Sequence, residues 1–140
     1  MKWPFRRTIE PPNLKGLKPG EAGEEWVAYL YRKRGFEILR RNFKVIDSKV
    51  LGELDIICKK RKQIVIVEVK TRADERFMPI EETINAHKKY LLRRMAAVFL
   101  RQNPRFENYD IQIDVAGVLL DPFDNFVQSV KLIENAIEGT

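Results

Sequence analysis

Apolar positions along the chain follow two periods, and the switches between them divide it into elements. Over residues 21–34 the side chains of Val27, Ala28, Leu30 and Tyr31 share one helical stripe, and Gly35 supplies the stop. Residues 36–46 read as a strand in which Arg40, Arg41, Asn42 and Lys44 interleave with apolar positions, and residues 47–51 as a loop. Two β-branched runs, residues 52–58 and 64–70, then flank a short polar stretch, which predicts a hairpin turning at Arg61-Lys62. Helical spacing returns over residues 80–102, with Ile84, Leu91, Met95 and Val98 on the core stripe and Leu92 and Phe99 beside it. Residues 110–120 alternate as a strand that holds Asp114. Residues 123–127 are expected as a short edge strand and residues 130–137 as a closing helix.

The hairpin strands are apolar on both faces, with Leu54, Ile56 and Cys58 on one and Ile57, Ile64 and Ile66 on the other. Such strands belong at the centre of a sheet covered by helices on each side. Three charges sit within them. Pairing Lys60 with Gln63 sets Asp55 directly opposite Glu68, their Cβ atoms about 5 Å apart. Alternation puts Lys70 on the same face as Glu68. Facing carboxylates repel by roughly 3 kcal/mol at an effective dielectric near 20, so a cation belongs between them. A divalent ion held by the pair, with a lysine alongside, suits hydrolysis of a phosphodiester. The competing reading is an ion pair of Lys70 with Glu68 or Asp55 at a wet strand end, which contributes little stability. Composition alone predicts about two acid-x-Lys triplets, and the other one present is Asp47-Ser48-Lys49. Spacing by itself leaves both readings open.

Composition narrows the partners. At 140 residues the chain is long enough for one domain with a real core. A net charge of +6 and a sequence pI near 9.5 point to a polyanionic partner, nucleic acid ahead of a membrane surface. No stretch has the length and apolarity of a membrane span. The basic N-terminus, broken by Pro4, Pro11 and Pro12, lacks the apolar run of a signal peptide, so a cytoplasmic protein is expected. Residues 1–19 read as an extended or disordered basic arm and residues 20–140 as a single domain. A single cysteine, Cys58, rules out an internal disulfide, and with one histidine, His87, it disfavours a zinc site or a Cys-His hydrolase. The chemistry therefore falls to carboxylates and lysines.

Two helix positions bear on the acid trio. Glu24 lies about 40° from the centre of the first helix's apolar stripe, whereas Glu25 lies about 140° away, toward solvent. A lone acid in the place of Glu24 is more often a rim residue or a dipole partner than a ligand. Lys88 falls about 20° from the centre of the second helix's stripe, placed either to snorkel or to reach an anion at the sheet edge. His87, Lys89, Arg93, Arg94 and Arg101 flank it, placed to track a phosphate backbone or simply to solvate the helix.

The order helix, three strands, helix, strand carries Gly23-Glu24, Gly35-Phe36, Arg41-Asn42, Gly52-Glu53-Leu54-Asp55-Ile56-Ile57, Val67-Glu68-Val69-Lys70-Thr71-Arg72, Lys88 and Ile113-Asp114-Val115. With these motifs in this order the chain resembles the YraN family of uncharacterised bacterial proteins. That family lies within the restriction-endonuclease-like superfamily of PD-(D/E)xK nucleases and is similar to archaeal Holliday-junction resolvases. The resemblance spans residues 20–117 and implies an α/β fold with an α-β-β-β-α-β core, a central mixed β-sheet flanked by helices. It further implies a metal-dependent endonuclease acting on DNA, branched or structured DNA included. Asp55 and Glu68 would be metal ligands for Mg²⁺ or Mn²⁺, joined by the Val69 carbonyl. Lys70 would be the catalytic lysine and Glu24 the helix-borne acid that completes the site. Lys88 matches a basic position often present in the family. With the helix-flank residues Lys89 and Arg93 and with Arg72 it is expected to contact the nucleic acid. Symmetric cutting of a branched substrate would call for a homodimer. Asp114 matches a strand motif and is assigned a structural role.

The chain departs from the family in its N-terminal arm, in a longer loop between Asn42 and Gly52, and in Gln112, where an arginine is common. These differences bear on substrate choice and touch none of the metal or proton-transfer residues. Two other classes stay open: a non-catalytic nucleic-acid-binding domain that keeps the fold, and a protein-interaction module whose basic surface docks an acidic partner.

Overall fold

The sheet grows outward from the β-branched hairpin in the computed structural model, which describes residues 8–73 and 84–137. Strands β2 (Lys49–Lys60) and β3 (Gln63–Arg72) turn through Arg61, whose φ of 55° is the left-handed conformation a tight hairpin needs, and Lys60 pairs with Gln63. Helix α1 (Pro19–Lys33) and strand β1 (Glu37–Asp47) precede them, with β1 antiparallel to β2. Helix α2 (Ala86–Gln102) crosses over to β4 (Asp110–Leu120), which therefore runs parallel to β3. Strand β5 (Val127–Ile133) closes the sheet antiparallel to β4, giving the order β1-β2-β3-β4-β5. This mixed sheet with a helix on each face is a restriction-endonuclease-like core.

Alternation along the central strands feeds two cores. Ile57, Ile64 and Ile66 pack under α2 with Leu92, Met95 and Phe99, while Ile56, Cys58, Val65 and Val67 pack under α1 with Val27, Ala28 and Tyr31. Each fully buried aliphatic side chain contributes about 1.5–3 kcal/mol, so the hairpin anchors the molecule. Leu54 departs from the expected pattern and joins the α2 side rather than that of Ile56 and Cys58. The change of face coincides with Asn42 on β1, whose left-handed φ of 49° lies between the Arg41–Ile56 and Phe43–Leu54 pairs. On α1, Tyr29 is buried where the stripe predicts Leu30, because Trp26 and Lys33 cover its ring.

Three stretches fold otherwise than their pattern predicts. Residues 47–51 are not a loop: β1 and β2 meet in a tight turn at Ser48, φ 59°, with Asp47 paired to Lys49. Val45 and Leu51 pack against α2 and carry the ladder to its tip. Neither the short strand over residues 123–127 nor the closing helix over residues 130–137 forms; β5 occupies their junction. The apolar spacing there fits a helix, but the open edge of β4 offers partners for the backbone groups, and pairing wins. Helix α2 begins at Ala86, behind an Asn85 cap whose side chain accepts the Lys88 N–H at 2.9 Å. Ile84 is buried ahead of the helix, and residues 80–83 of the expected start lie outside the described residues. Before α1, Leu14 packs into the α1-side core, and the Asn125 amide donates to the carbonyls of Leu14 and Leu17 at 3.0 and 2.8 Å.

Candidate active site at a fork in the sheet

Strands β2 and β3 pair only from Lys60–Gln63 to Ile56–Val67. Beyond that point β2 runs on beside β1 and β3 runs on beside β4. The sheet therefore forks, and the register leaves Asp55 and Glu68 facing each other where it opens. At the split the Val69 N–H loses its place in the β2 ladder, and Asp55 Oδ2 accepts it at 2.8 Å. Glu68 is 4% exposed, and its Oε2 meets Lys70 Nζ at 3.3 Å and Lys88 Nζ at 3.1 Å. The two carboxylates are within hydrogen-bonding reach of one another. Burial first, then the charge of Glu68, raise the Asp55 carboxyl to about 7, against the lowering effect of the Val69 N–H. An acid as enclosed as Glu68 is no surface ion pair.

Glu24 approaches this pair from the α1 face. The charge of Glu68 acts weakly on Glu24, and that of Glu24 on Asp55. Gly23 makes the approach possible, since a Cβ there would stand 2.0 Å from Thr71 Oγ1 and hold α1 off β3. Burial is the largest influence on Glu24 and raises its pKa, offset by the Asn42 side chain and by Arg41. Arg41 Nη1 donates to Glu25 at 3.0 Å while Nη2 stands 3.9 Å from Glu24. Glu25 is thus a half-buried partner of Arg41 rather than the solvent-facing charge its helix angle predicts, because β1 brings the guanidinium up against the helix.

The donor set fits a hard divalent ion. Two neighbouring carboxylates, one of them inclined to hold a proton at neutral pH, leave a place where an ion could replace that proton. Among the described residues no three of His, Cys, Asp and Glu converge on one point. An ion held here takes two carboxylates and completes its shell with a backbone carbonyl and water, as Mg²⁺ commonly does. Of the residues expected along a nucleic-acid path, Lys88 is drawn into the acid pair. Lys89 is exposed on α2, Arg72 ends β3, and half-buried Arg93 lines a cleft with Ile111, Ile113 and Ile137. Sequence reasoning missed Arg41 and Asn42 as neighbours of Glu24. The only signal for them is their register, one strand over from Asp55.

Asp114 lies apart. It is 1% exposed, on the α1 face, and accepts from the Tyr31 hydroxyl, from Gln112 Nε2 at 2.8 Å and from the Asn135 N–H at 2.9 Å. Gln112 in turn accepts from Gln63 Nε2 at 3.1 Å, which makes the residue that replaces the family's usual arginine a bridge between β3 and β4. Burial pushes the Cys58 thiol up to about 12, so it stays neutral and serves as core.

Fold and fork together define the class: a restriction-endonuclease-like α/β domain with a buried cluster of acids and lysines where β2 and β3 part. The chain belongs to the uncharacterised protein family UPF0102, whose family model matches residues 23–118, and this is the family of the YraN resemblance. It is 41% identical over 99 residues to the UPF0102 protein of Syntrophomonas wolfei, covering 71% of this chain and 82% of that one. It is 36% identical over 124 residues to the UPF0102 protein of Caldicellulosiruptor bescii, covering 89% and 98%. Among the described residues no helix is long and apolar enough to cross a membrane.

Proposed function

We propose that the protein is a metal-dependent endonuclease that hydrolyses phosphodiester bonds of DNA, with branched or structured DNA as its substrate class. The observation that carries this reading is the buried Asp55–Glu68 pair at the fork, with two lysine ammoniums on Glu68. Asp55, Glu68 and the Val69 carbonyl would hold Mg²⁺ or Mn²⁺, and such an ion when bound supplies Lewis acidity toward a phosphodiester. The chain's own groups divide the remaining work. Lys70, whose ammonium lies 3.3 Å from Glu68, would orient the attacking water and offset the charge that builds on the phosphate. Glu24 accepts a hydrogen bond from that water on the α1 side. Lys88 becomes available to the phosphate once Glu68 engages an ion. Arg72, Lys89 and Arg93 position the backbone without reading sequence, in keeping with a net charge of +6. Symmetric cutting of a branched substrate calls for a homodimer, and the cytoplasm is the compartment that fits.

Calorimetric titration with Mn²⁺, followed by cleavage of branched, flapped and single-stranded DNA, tests this. Asp55→Ala combined with Glu68→Ala is expected to abolish both binding and cleavage while the circular dichroism spectrum stays native. Cleavage that survives in the double variant sinks the assignment.

One observation favours a second reading. Glu68 already has two lysines and Asp55 already has the Val69 N–H, so the cluster is self-contained as an ion-pair network in a non-catalytic nucleic-acid-binding domain. DNA binding that is indifferent to Mg²⁺, without cleavage by the wild type, selects it. Binding that ignores nucleic acid altogether selects a protein-interaction module.

A further inference from the structure

We infer that the closed end of the β2–β3 hairpin is a second nucleic-acid site, a cationic cleft that takes backbone phosphates of duplex DNA at a distance from the fork. This rests on the nucleic-acid reading of the proposed function and needs no metal. Two basic runs meet there, Arg32-Lys33-Arg34 at the C-terminal end of α1 and Lys59-Lys60-Arg61-Lys62 around the hairpin turn. Lys60 joins them. Its Nζ donates to the Arg34 carbonyl at 2.6 Å, and its ammonium and the Arg34 guanidinium each stand 5.7 Å from the centre of the Phe36 ring. The acids set against these seven cations by register or contact are Glu37, opposite Lys59, Asp110, opposite Gln63, and Glu134, which accepts from Arg34 at 2.6 Å. Much of the net charge of +6 is therefore gathered at this one end of the sheet.

Two observations distinguish a binding site from a solvated turn. The cations surround a concavity: Arg34, Lys60, Arg61 and Lys62 line an open cleft of about 520 Å³ with Phe36 and Gln63. The turn is also filled against local preference. Arg61 takes a left-handed φ of 55°, which asparagine or glycine adopts at less cost, and a two-residue hairpin turn is best served by Asn-Gly. Arg61-Lys62 puts two charges there instead, and among the described residues neither side chain has an ion-pair partner.

The chemistry of the cleft selects a phosphate backbone. It offers guanidinium and ammonium donors, and none of the large exposed apolar side chains among the described residues lines it. A protein interface would set apolar anchors within its polar rim, and a membrane-binding patch would carry apolar side chains to enter the lipid. A row of phosphates needs only charge and donors. From Gln63 to Glu68 along β3 is about 17 Å, or roughly five base pairs of duplex. The fork opens away from the cleft, since β2 and β3 stay paired from Lys60–Gln63 to Ile56–Val67. A duplex held here flanks the phosphate presented to the acid pair and is not itself cut.

The test is binding of a short blunt duplex by the full chain, followed by fluorescence anisotropy in EDTA over a series of KCl concentrations. Arg61→Asn combined with Lys62→Gln removes both charges and keeps residues suited to the turn, so the melting temperature is expected to hold or rise. Affinity is expected to fall about tenfold, uniformly across sequences, and the slope of log affinity against log salt to drop by about two. Lys62→Gln alone, away from the left-handed position, is expected to lower the slope by about one. Arg61→Lys combined with Lys62→Arg keeps both charges and is expected to bind as the wild type does. Unchanged affinity and slope in the two charge-removing proteins overturn the inference, and so does an equal loss in the charge-preserving one. Binding that disappears in Asp55→Ala with Glu68→Ala, while the cleft variants retain it, puts the DNA on the fork alone and leaves the nucleic-acid reading standing. A wild type that binds phosphatidylserine vesicles but no DNA at any salt overturns that reading and the inference together.

Discussion

Two regions of the molecule bury acids, and they do so in opposite ways. Asp114 is surrounded by neutral donors from Tyr31, Gln112 and Asn135, which fill its lone pairs. Burial, then contact with Asp114, drive the Tyr31 hydroxyl far above its usual range, so it remains a donor. Glu68 is almost as enclosed, but it has a second carboxylate beside it, and burial first, then the charge of Glu68, raise Asp55 toward neutrality. The first arrangement stabilises the fold, because every partner is satisfied. The second carries a cost at Asp55, which is held desolvated beside another carboxylate while both lysines sit on Glu68. A satisfied buried acid is a tie between elements. A pair of acids held together where the sheet opens is a cost that an added cation would relieve, and that difference singles out the fork as the candidate site.

The largest effects come from breaking each region in turn. Asp55→Ala is expected to lower DNA cleavage about a thousandfold, several kcal/mol of lost transition-state stabilisation, and to abolish Mn²⁺ binding. Its melting temperature should match or exceed that of the metal-free wild type. Asp114→Ala should do the reverse. It strips the partner from three donors and is expected to destabilise the fold by about 3 kcal/mol, lowering the melting temperature by roughly 10 °C. Mn²⁺ affinity of the folded fraction should not change. Loss of metal binding in a folded Asp114→Ala protein would erase the contrast between the two regions.

The part of this arrangement that is legible in the sequence is the part set by local pattern. The β-branched runs and the short polar stretch between them admit one pairing, Lys60 with Gln63, and the facing of Asp55 and Glu68 follows from it. Strand β4 and the extent of α1 are legible for similar reasons. The face of Leu54 is not, because the alternation changes at the level of Asn42, whose left-handed backbone no hydrophobic pattern encodes. Strand β5 is not either: Val127, Val130 and Ile133 are spaced for a helix as much as for a strand, and the open edge of β4 decides. Lys88 stands out as a lysine inside an apolar stripe, yet its partner comes from β3 and is visible only in three dimensions.

A smaller effect sharpens the comparison through pH. The Asp55 carboxyl rises from its ordinary 3.8 to about 7, so between those values the folded chain keeps a proton that the unfolded chain has released. Stability of the metal-free protein therefore falls as pH climbs through this window, and Glu24, also raised, adds in the same direction. Asp55→Asn should flatten the slope and stabilise the metal-free protein at neutral pH by about 2 kcal/mol. Urea unfolding across the window measures both. A wild-type stability that rises between pH 4 and 7 would mean that the fork is as well satisfied as Asp114.

The smallest effect separates the two lysines on Glu68. Lys88 stands at 3.1 Å and Lys70 at 3.3 Å from the same oxygen, but they come from α2 and β3 respectively. Their side chains are 30% and 27% exposed, so each pair contributes no more than about 1 kcal/mol in the metal-free protein. With an ion on Glu68, each ammonium changes from a partner into a like-charged neighbour. Lys88→Ala is therefore expected to lower metal-free stability slightly and to tighten Mn²⁺ binding about threefold. Lys70→Ala should tighten it similarly while eliminating cleavage. Single-turnover rates then decide what Lys88 does. A Lys88→Ala protein that cleaves as fast as wild type makes this lysine a counter-ion for Glu68 and nothing more. One that binds Mn²⁺ more tightly yet cleaves more slowly puts the ammonium on the phosphate, and the α2 side of the fork becomes the wall along which the DNA lies.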